Sequence, residues 1–458
     1  MDIKDKLALL DKQRAVRRRG AAPGRPSRGD KVADAWEKID REESLTVKEK
    51  LERLITLTGP RPARSGESVE RPEPEALPPA PEPFQVIENS YDLNVRYGRT
   101  LLSQGLEIGG EVLNLLGRCE DFDGLDLSTA LFIDLETTGL SGGTGTVPFL
   151  VGMGFYHRGR FRVVQYFLHD IGAEEEMVED LGRFFEAYGF RSVVSYNGRA
   201  FDLPLLETRF VLKRRPFRLS DLPHLDFLFP ARLLWKHKHE SCRLCHLARE
   251  VVQTGRSEDI PSAEIPLRYF TYLRSRDFSL IEPILYHNQE DILSLLALVV
   301  SGARLVQKSA AEEWPEDIDG MDYYGVGRMY ERVKRSQESL RVFRRAVDGR
   351  LSADVAVRAR LKLSQHFKRQ GQYGEAVSLW QELVSGGRTI SSRELSCYRE
   401  LAVHYEHHEK NLEEAIRFAE EGLALSRSLS PSFHEDFTRR LKRLRAKAKG
   451  AGRKEKKR

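Results

Sequence analysis

Apolar positions recur with two different periods along this chain of 458 residues, and the change of period divides it. A short apolar run at 130–133, a β-rich stretch at 147–156 closing on the turn signal Arg158-Gly159, and alternation at 161–168 predict three strands of an antiparallel meander. Met177, Leu181, Phe184 and Phe185 fall on one face at helical spacing and predict a helix over 174–188. A strand at 192–196, a helix at 200–212 and a short strand at 225–228 follow, then helices at 231–235, 244–252, 267–273 and 280–305. Meander strands followed by alternating helix and strand predict an α/β domain over 129–306, a mixed sheet with flanking helices.

Past Trp314 the pattern is helical throughout, and it repeats. Gly327, Tyr330, Ser339, Phe343 and Ala346 are followed by Ser364, Phe367, Ala376, Trp380 and Leu383. Ala402, Tyr405, Ala415, Ala419 and Gly422 form a third unit with one extra residue inside. The anchors Tyr330, Phe367 and Tyr405 are 37 and 38 residues apart. Small residues let paired helices approach closely, and the aromatics fill the gap between them. The units, placed at 318–438, resemble tetratricopeptide repeats, although the usual spacing is about 34 residues. An unrelated helical bundle is the alternative. Stacked helix pairs make a concave surface suited to a protein partner.

The ends differ from both regions. Residues 1–57 hold helix-like stretches at 3–10, 32–39 and 47–57 around an Arg/Gly/Pro segment at 17–29. Eight of the twenty prolines lie between 60 and 83. Such a composition buries too little apolar surface to offset chain entropy. Residues 1–85 therefore read as a basic, Pro-rich and largely disordered arm and linker, and 86–128 as a lead-in anchored by Tyr91 and Tyr97. The formal net charge of +5 hides a split: 12–31 carries +7 and the tail 439–458 carries +11, which leaves −13 elsewhere. Basic arms around an acidic body suit a polyanion such as DNA or RNA, with solubilising tails as the plain alternative.

The longest nearly apolar run, at 292–300, is short of the roughly 20 residues a membrane span requires. Residues 7–10 are too short for a signal-peptide core, and Asp2, Asp5 and Asp11 argue against a transit peptide. A cytoplasmic protein with no membrane partner is expected. The four cysteines suit a reducing compartment.

The sharpest chemical signal is Phe132-Ile-Asp134-Leu-Glu136-Thr-Thr-Gly139. Asp134 and Glu136 are two apart on a strand and point to one face. Paired carboxylates at the end of an apolar strand are costly unless a cation sits between them, and hard oxygen ligands suit Mg²⁺ or Mn²⁺. The bland reading is a pair of exposed edge charges, which the apolar neighbours disfavour. Asp202 opens a helix after the turn at Asn197-Gly198; stabilising that helix terminus is its ordinary role. His287 and Asp291 are four apart and share a helix face, where a surface pair would be the ordinary reading. Asn197 either contacts a phosphate or caps its turn, and Asp226 at a strand end suits a helix cap better than a metal.

Asp-x-Glu, then Asp, then His-x3-Asp, in that order, resembles the DEDD superfamily of 3′–5′ exonucleases. More closely, the stretch from 131 to 298 is similar to the YprB-like ribonuclease-H-like family, whose members can carry tetratricopeptide repeats behind the domain. The shared phrases are the Asp134 motif, Tyr196-Asn-Gly-x2-Phe-Asp-Leu-Pro, Leu225-Asp-Phe-Leu and His287-Asn-x2-Asp-Ile-Leu. The resemblance implies hydrolysis of DNA or RNA from the 3′ end to nucleoside 5′-monophosphates. It implies Asp134, Glu136, Asp202 and Asp291 as ligands of two Mg²⁺ or Mn²⁺ ions about 3.5–4 Å apart. It also places Thr137 and Leu140 against the terminal nucleotide.

One departure concerns the general base. In exonucleases of this superfamily, a catalytic His stands five before the last Asp and a catalytic Tyr four before. Here Tyr286 is five before Asp291 and His287 four before. The four-before position favours His287 as base, with Tyr286 beside the substrate as second choice. A scaffold or nucleic-acid-binding protein that keeps the fold without the chemistry is the rival reading. Cys242-Arg-Leu-Cys245-His246, with His237 and His239 nearby, has the elements of a haem-attachment or zinc motif, but reads best as the packed face of a short helix.

Overall fold

The structure, a computed structural model, describes residues 82–139, 145–256, 260–311, 319–385 and 391–455, with side chains to 450. The arm and linker through 81, its helix-like stretches, the basic segment 12–31 and Leu140 lie outside the described residues.

Six strands form one mixed sheet: β1 (Phe84–Asp92), β2 (Ala130–Thr137), β3 (Pro148–His157), β4 (Arg160–Leu168), β5 (Ser192–Ser195) and β6 (His224–Asp226). Their order is β1-β4-β3-β2-β5-β6; the pairs out to β1 are antiparallel, and β2-β5 and β5-β6 are parallel. The meander and the two later strands lie where the apolar pattern predicts them. β1 is an addition, because the lead-in starts with an edge strand. Its residues are largely polar; a nine-pair backbone ladder with β4 holds it, Phe84 stacks on Tyr166, and charged pairs line its exposed side. Arg160 Nη1 is 2.9 Å from Asp92 Oδ1, and Arg162 Nε donates to Glu88 Oε1 at 2.6 Å.

The helices of this region are α1 (Gly110–Gly117), α2 (Glu174–Tyr188), α3 (Asp202–Leu212), α4 (Leu228–Trp235), α5 (Leu244–Leu247), α6 (Ile265–Ser275) and α7 (Glu282–Ala310). A π-helical turn, Ala248–Val252, extends α5. One sheet face, with Leu131, Ile133, Val151 and Phe167, packs on α2, α3 and α6 through Met177, Leu206 and Tyr269. The opposite face, with Phe132, Val163 and Val194, packs on α7 through Ile292, Leu296 and Val299. The helical stretch Phe278–Ala310 is long and apolar enough to cross a membrane by length and composition, and 78% of its most apolar part is buried within the protein.

Two strand glycines let α7 lie this close. A Cβ at Gly154 would meet Ile292 Cγ2 at 2.4 Å, and one at Gly152 would meet Asn288 Oδ1 at 2.0 Å. They are two apart on β3, and their partners are four apart on α7, so both pairs fall along a single contact line.

The remainder is all helical: α8 (Gly320–Arg332), α9 (Ser336–Asp348), α10 (Ala353–Arg369), α11 (Tyr373–Ser385), α12 (Leu395–His407), α13 (Leu412–Leu429) and α14 (Pro431–Glu455). The recurring small and aromatic positions meet within the helix pairs. A Cβ at Gly327 would meet Phe343 at 2.8 Å, Trp380 Nε1 donates to Ser364 Oγ at 2.9 Å, and the rings of Tyr405 and Phe418 stack. α14 runs well past position 438, so 439–455 continues the last helix of the stack. Phe437, Leu441 and Leu444 are buried at helical spacing, and the basic residues occupy the other faces. The helical region seats on α4, where a Cβ at Gly325 would meet Leu234 O at 2.3 Å, and Lys238 Nζ lies 2.9 Å from Asp319 and 2.8 Å from Asp322.

Candidate active site

Asp134 and Glu136 share the β2 face covered by the N-terminal half of α7, because Leu131, Ile133 and Leu135 claim the other face for the core. The register opposes Asp134 to Gly152 and Gly152 to Gln165, leaving a cleft across three strands. Asn288 fills it, donating through Nδ2 to Asp134 Oδ2 at 3.0 Å, while Gln165 Nε2 donates to Asn288 Oδ1 at 2.9 Å. The β2–β3 register shifts between Glu136 and Thr137, a bulge at the edge of the site.

Burial holds the Asp134 carboxyl well above the ordinary carboxylate range, and the charges of Asp291, Asp202 and Glu136 push it further; the Asn288 amide offsets only part of this. Asp202, in the first turn of α3, is pushed up to about 7 by burial, against hydrogen bonds from its own amide and the Leu135 backbone. Four carboxylates from a strand and two helices therefore lie within electrostatic reach of one another. Among the described residues, no three His, Cys, Asp or Glu side chains converge tightly enough to enclose an ion as they stand. The donor set nevertheless fits a hard divalent cation, since it is all carboxylate oxygen around a member that its neighbours make costly to ionise.

His287 is buried on α7, with Nε2 3.5 Å from Glu136 Oε1 and 3.3 Å from Asp291 Oδ2. Its Nδ1 is 3.0 Å from Arg256 Nη2, and Arg256 Nη1 also pairs with Asp291 Oδ1. Arginine has donors only, so Nδ1 accepts, and in the neutral ring the hydrogen sits on Nε2, facing the carboxylates. Tyr286 points outward and is 47% exposed.

Asn197 lies in the left-handed region at φ 70°, a conformation asparagine tolerates, and its amide donates to Asp226 Oδ1 at 2.7 Å. Asp226 also accepts from Leu228 N at the start of α4 and from Arg199 N. It ties the turn and caps the helix. Thr137 Oγ1 donates to Gly139 O at 2.8 Å. Asn197, His287 and Asp291 line an open cleft of about 660 Å³ whose wall also carries Arg232, Lys236 and Arg243. Cys242 and Cys245 are half-buried in that wall, and the Tyr196 hydroxyl donates to Cys242 O.

Arg256 and Gln165 are contacts that motif reading did not single out, and Asn288, although inside a shared phrase, carried no assigned role there. The Gly-x-Gly of β3 carries a sequence signal for the Asn288 contact, since glycines two apart inside an apolar strand mark a close approach. Arg256 has no comparable signal.

A family model for the RNase_H superfamily matches residues 131–301. The uncharacterized protein YprB of Bacillus subtilis (strain 168) is 31% identical over 368 residues, which span 79% of this chain and 86% of that protein. With a mixed six-stranded sheet, flanking helices and an all-helical region behind them, the chain belongs to the YprB family and carries an RNase H superfamily domain.

Proposed function

We propose that this chain is a divalent-ion-dependent nuclease that hydrolyses phosphodiester bonds of DNA or RNA from the 3′ end. The crowding of Asp134 by Asp291, Asp202 and Glu136 supports this most strongly. Those carboxylates would hold Mg²⁺ or Mn²⁺, which when bound polarises the phosphate and makes water a stronger nucleophile. His287 presents Nε2–H between Glu136 and Asp291 and so orients the attacking water or a phosphate oxygen. Acting as the base itself, as the motif spacing suggests, requires its hydrogen to move to Nδ1 and Arg256 to release that atom. Arg232, Lys236 and Arg243, which line the cleft with Asn197, would meet the phosphates of a strand, and Asn197, Thr137 and the exposed Tyr286 would contact the terminal nucleotide. The helical region would carry a protein partner or organise the strand.

Strands labelled at the 5′ end and incubated with the full chain and Mn²⁺ should shorten stepwise with the label retained. No turnover on any strand, or turnover surviving Asp134→Ala, overturns the reading.

A further inference from the structure

The proposed reaction leaves one charged group of the site without a role. Arg256 follows the π-helical turn, on a segment tied down by Thr254 N donating to Ala248 O at 3.2 Å. Its side chain is 3% exposed. One arm of the guanidinium lies on Asp291 Oδ1 and the other 3.0 Å from His287 Nδ1, so a single planar fork spans two residues one helical turn apart. A guanidinium keeps its charge at any working pH. A permanent cation thus stands against the fourth carboxylate.

The other carboxylates are served differently. Asp134 receives the neutral amide of Asn288, and Asp202 receives its own amide and the Leu135 backbone. Asp291 already has a donor at each oxygen, Arg256 at Oδ1 and His287 Nε2 at Oδ2. A second ion at Asp291 would compete with both donors and stand beside a permanent positive charge in a nearly closed position.

We infer that Arg256 takes the place of the second cation. The chain binds one divalent ion, through Asp134, Glu136 and Asp202, and the Arg256 guanidinium supplies the positive charge at Asp291. This rests on the metal-dependent reading above and revises the two-ion expectation drawn from the sequence. Arg256 also fixes the His287 ring, so it acts on the substrate through both residues as a positioning group.

Calorimetric titration of the full chain with Mn²⁺ at neutral pH, checked by the free-ion electron paramagnetic resonance signal, tests it. Wild type and Arg256→Lys should each take up one ion, and Arg256→Gln should take up two. Two ions of comparable affinity in wild type, or one ion in a folded Arg256→Gln variant, would overturn the inference and leave the nuclease reading standing. If circular dichroism shows Arg256→Gln unfolded, the wild-type and Arg256→Lys counts decide alone. No Mn²⁺ uptake by wild type would overturn the nuclease reading and this inference together.

Discussion

Two buried carboxylate sites, one in the α/β domain and one in the helical region, are built on opposite principles. Glu406 on α12 is tucked beneath α14, with Arg443 Nη2 at 2.5 Å, Lys447 Nζ at 2.6 Å, His407 Nε2 at 3.5 Å and Arg440 Nη1 at 3.8 Å. Burial pushes its carboxyl up, but the bonds from Lys447 and the charges of Arg443 and His407 win, and it sits below the ordinary range. Burial pushes Asp134 up as well, and there its neighbours, mostly of its own sign, add to the shift instead of reversing it. The helical site is electrostatically complete and holds two helices together. The α/β site keeps an excess of like charge that an added cation would relieve without protonation, and such frustration is a mark of a working site.

Substitutions should break this comparison most visibly in activity. Asp134→Ala should cut nuclease turnover by roughly 10³-fold or more, whereas Glu406→Gln should leave turnover near wild type, both read on the end-labelled strand. In stability the order reverses. Glu406→Ala strands several cations and should cost about 1–3 kcal/mol in urea unfolding, while Asp134→Asn without metal should cost nothing or stabilise.

Gly152→Ala sharpens the contrast by striking the support of Asp134 rather than its charge. The new Cβ would lie 2.0 Å from Asn288 Oδ1 and should destabilise by about 1–3 kcal/mol, with activity falling too. Unchanged stability would mean that α7 does not sit this close to β3.

The pH dependences should run in opposite senses. Folded Asp202 keeps its proton to about 7 against an ordinary 3.8, so between those values the folded state binds more protons and loses stability as pH rises. Folded Glu406 lies below its ordinary 4.5, so its contribution is present above that value and is lost as pH falls. Hydrogen exchange, corrected for the intrinsic pH dependence and without metal, should therefore show α3 less protected at pH 7 than at pH 5, with Mn²⁺ restoring it. α12 should weaken only in acid. Equal slopes for both elements would contradict the division.

The smallest effect concerns the basic end of the chain. Removing 451–458 should flatten the salt dependence of strand binding while α12 keeps its protection, since each phosphate contact adds about 0.9 to the slope. Removing 439–458 should also expose α12, because Arg440, Arg443 and Lys447 leave Glu406 with them.

Much of this was legible in the sequence. Period two and period 3.6 separated sheet from helices, and the pair at 134 and 136 stood out by spacing, whereas Asp202 and Asp291 were singled out only by the family resemblance, since local spacing gives them ordinary roles. What escaped detection was non-local or carried by charge. β1 hides because its largely polar sequence lacks a clean alternation, and the ladder and arginine contacts that join it to β4 come from far along the chain. Arg256 hides because it meets its partners 31 and 35 positions further on, through a fold that single-residue chemistry does not announce. The end of α14 hides because a dense run of lysine and arginine reads as a tail, although Leu441 and Leu444 keep the helical period through it.

α7 holds Asn288, His287 and Asp291 over the strands, and three turns later Gly302 lies against Phe227 and Leu234, the latter also beneath Gly325 of the helical region. Both ends are thus keyed to a single unbroken screw. One residue inserted between Asp291 and Gly302 would turn one end against the other by about 100°. Across the descendants of such a chain, loops are free to lengthen, but the count of residues along this helix is not. The two halves of the molecule must inherit their spacing together.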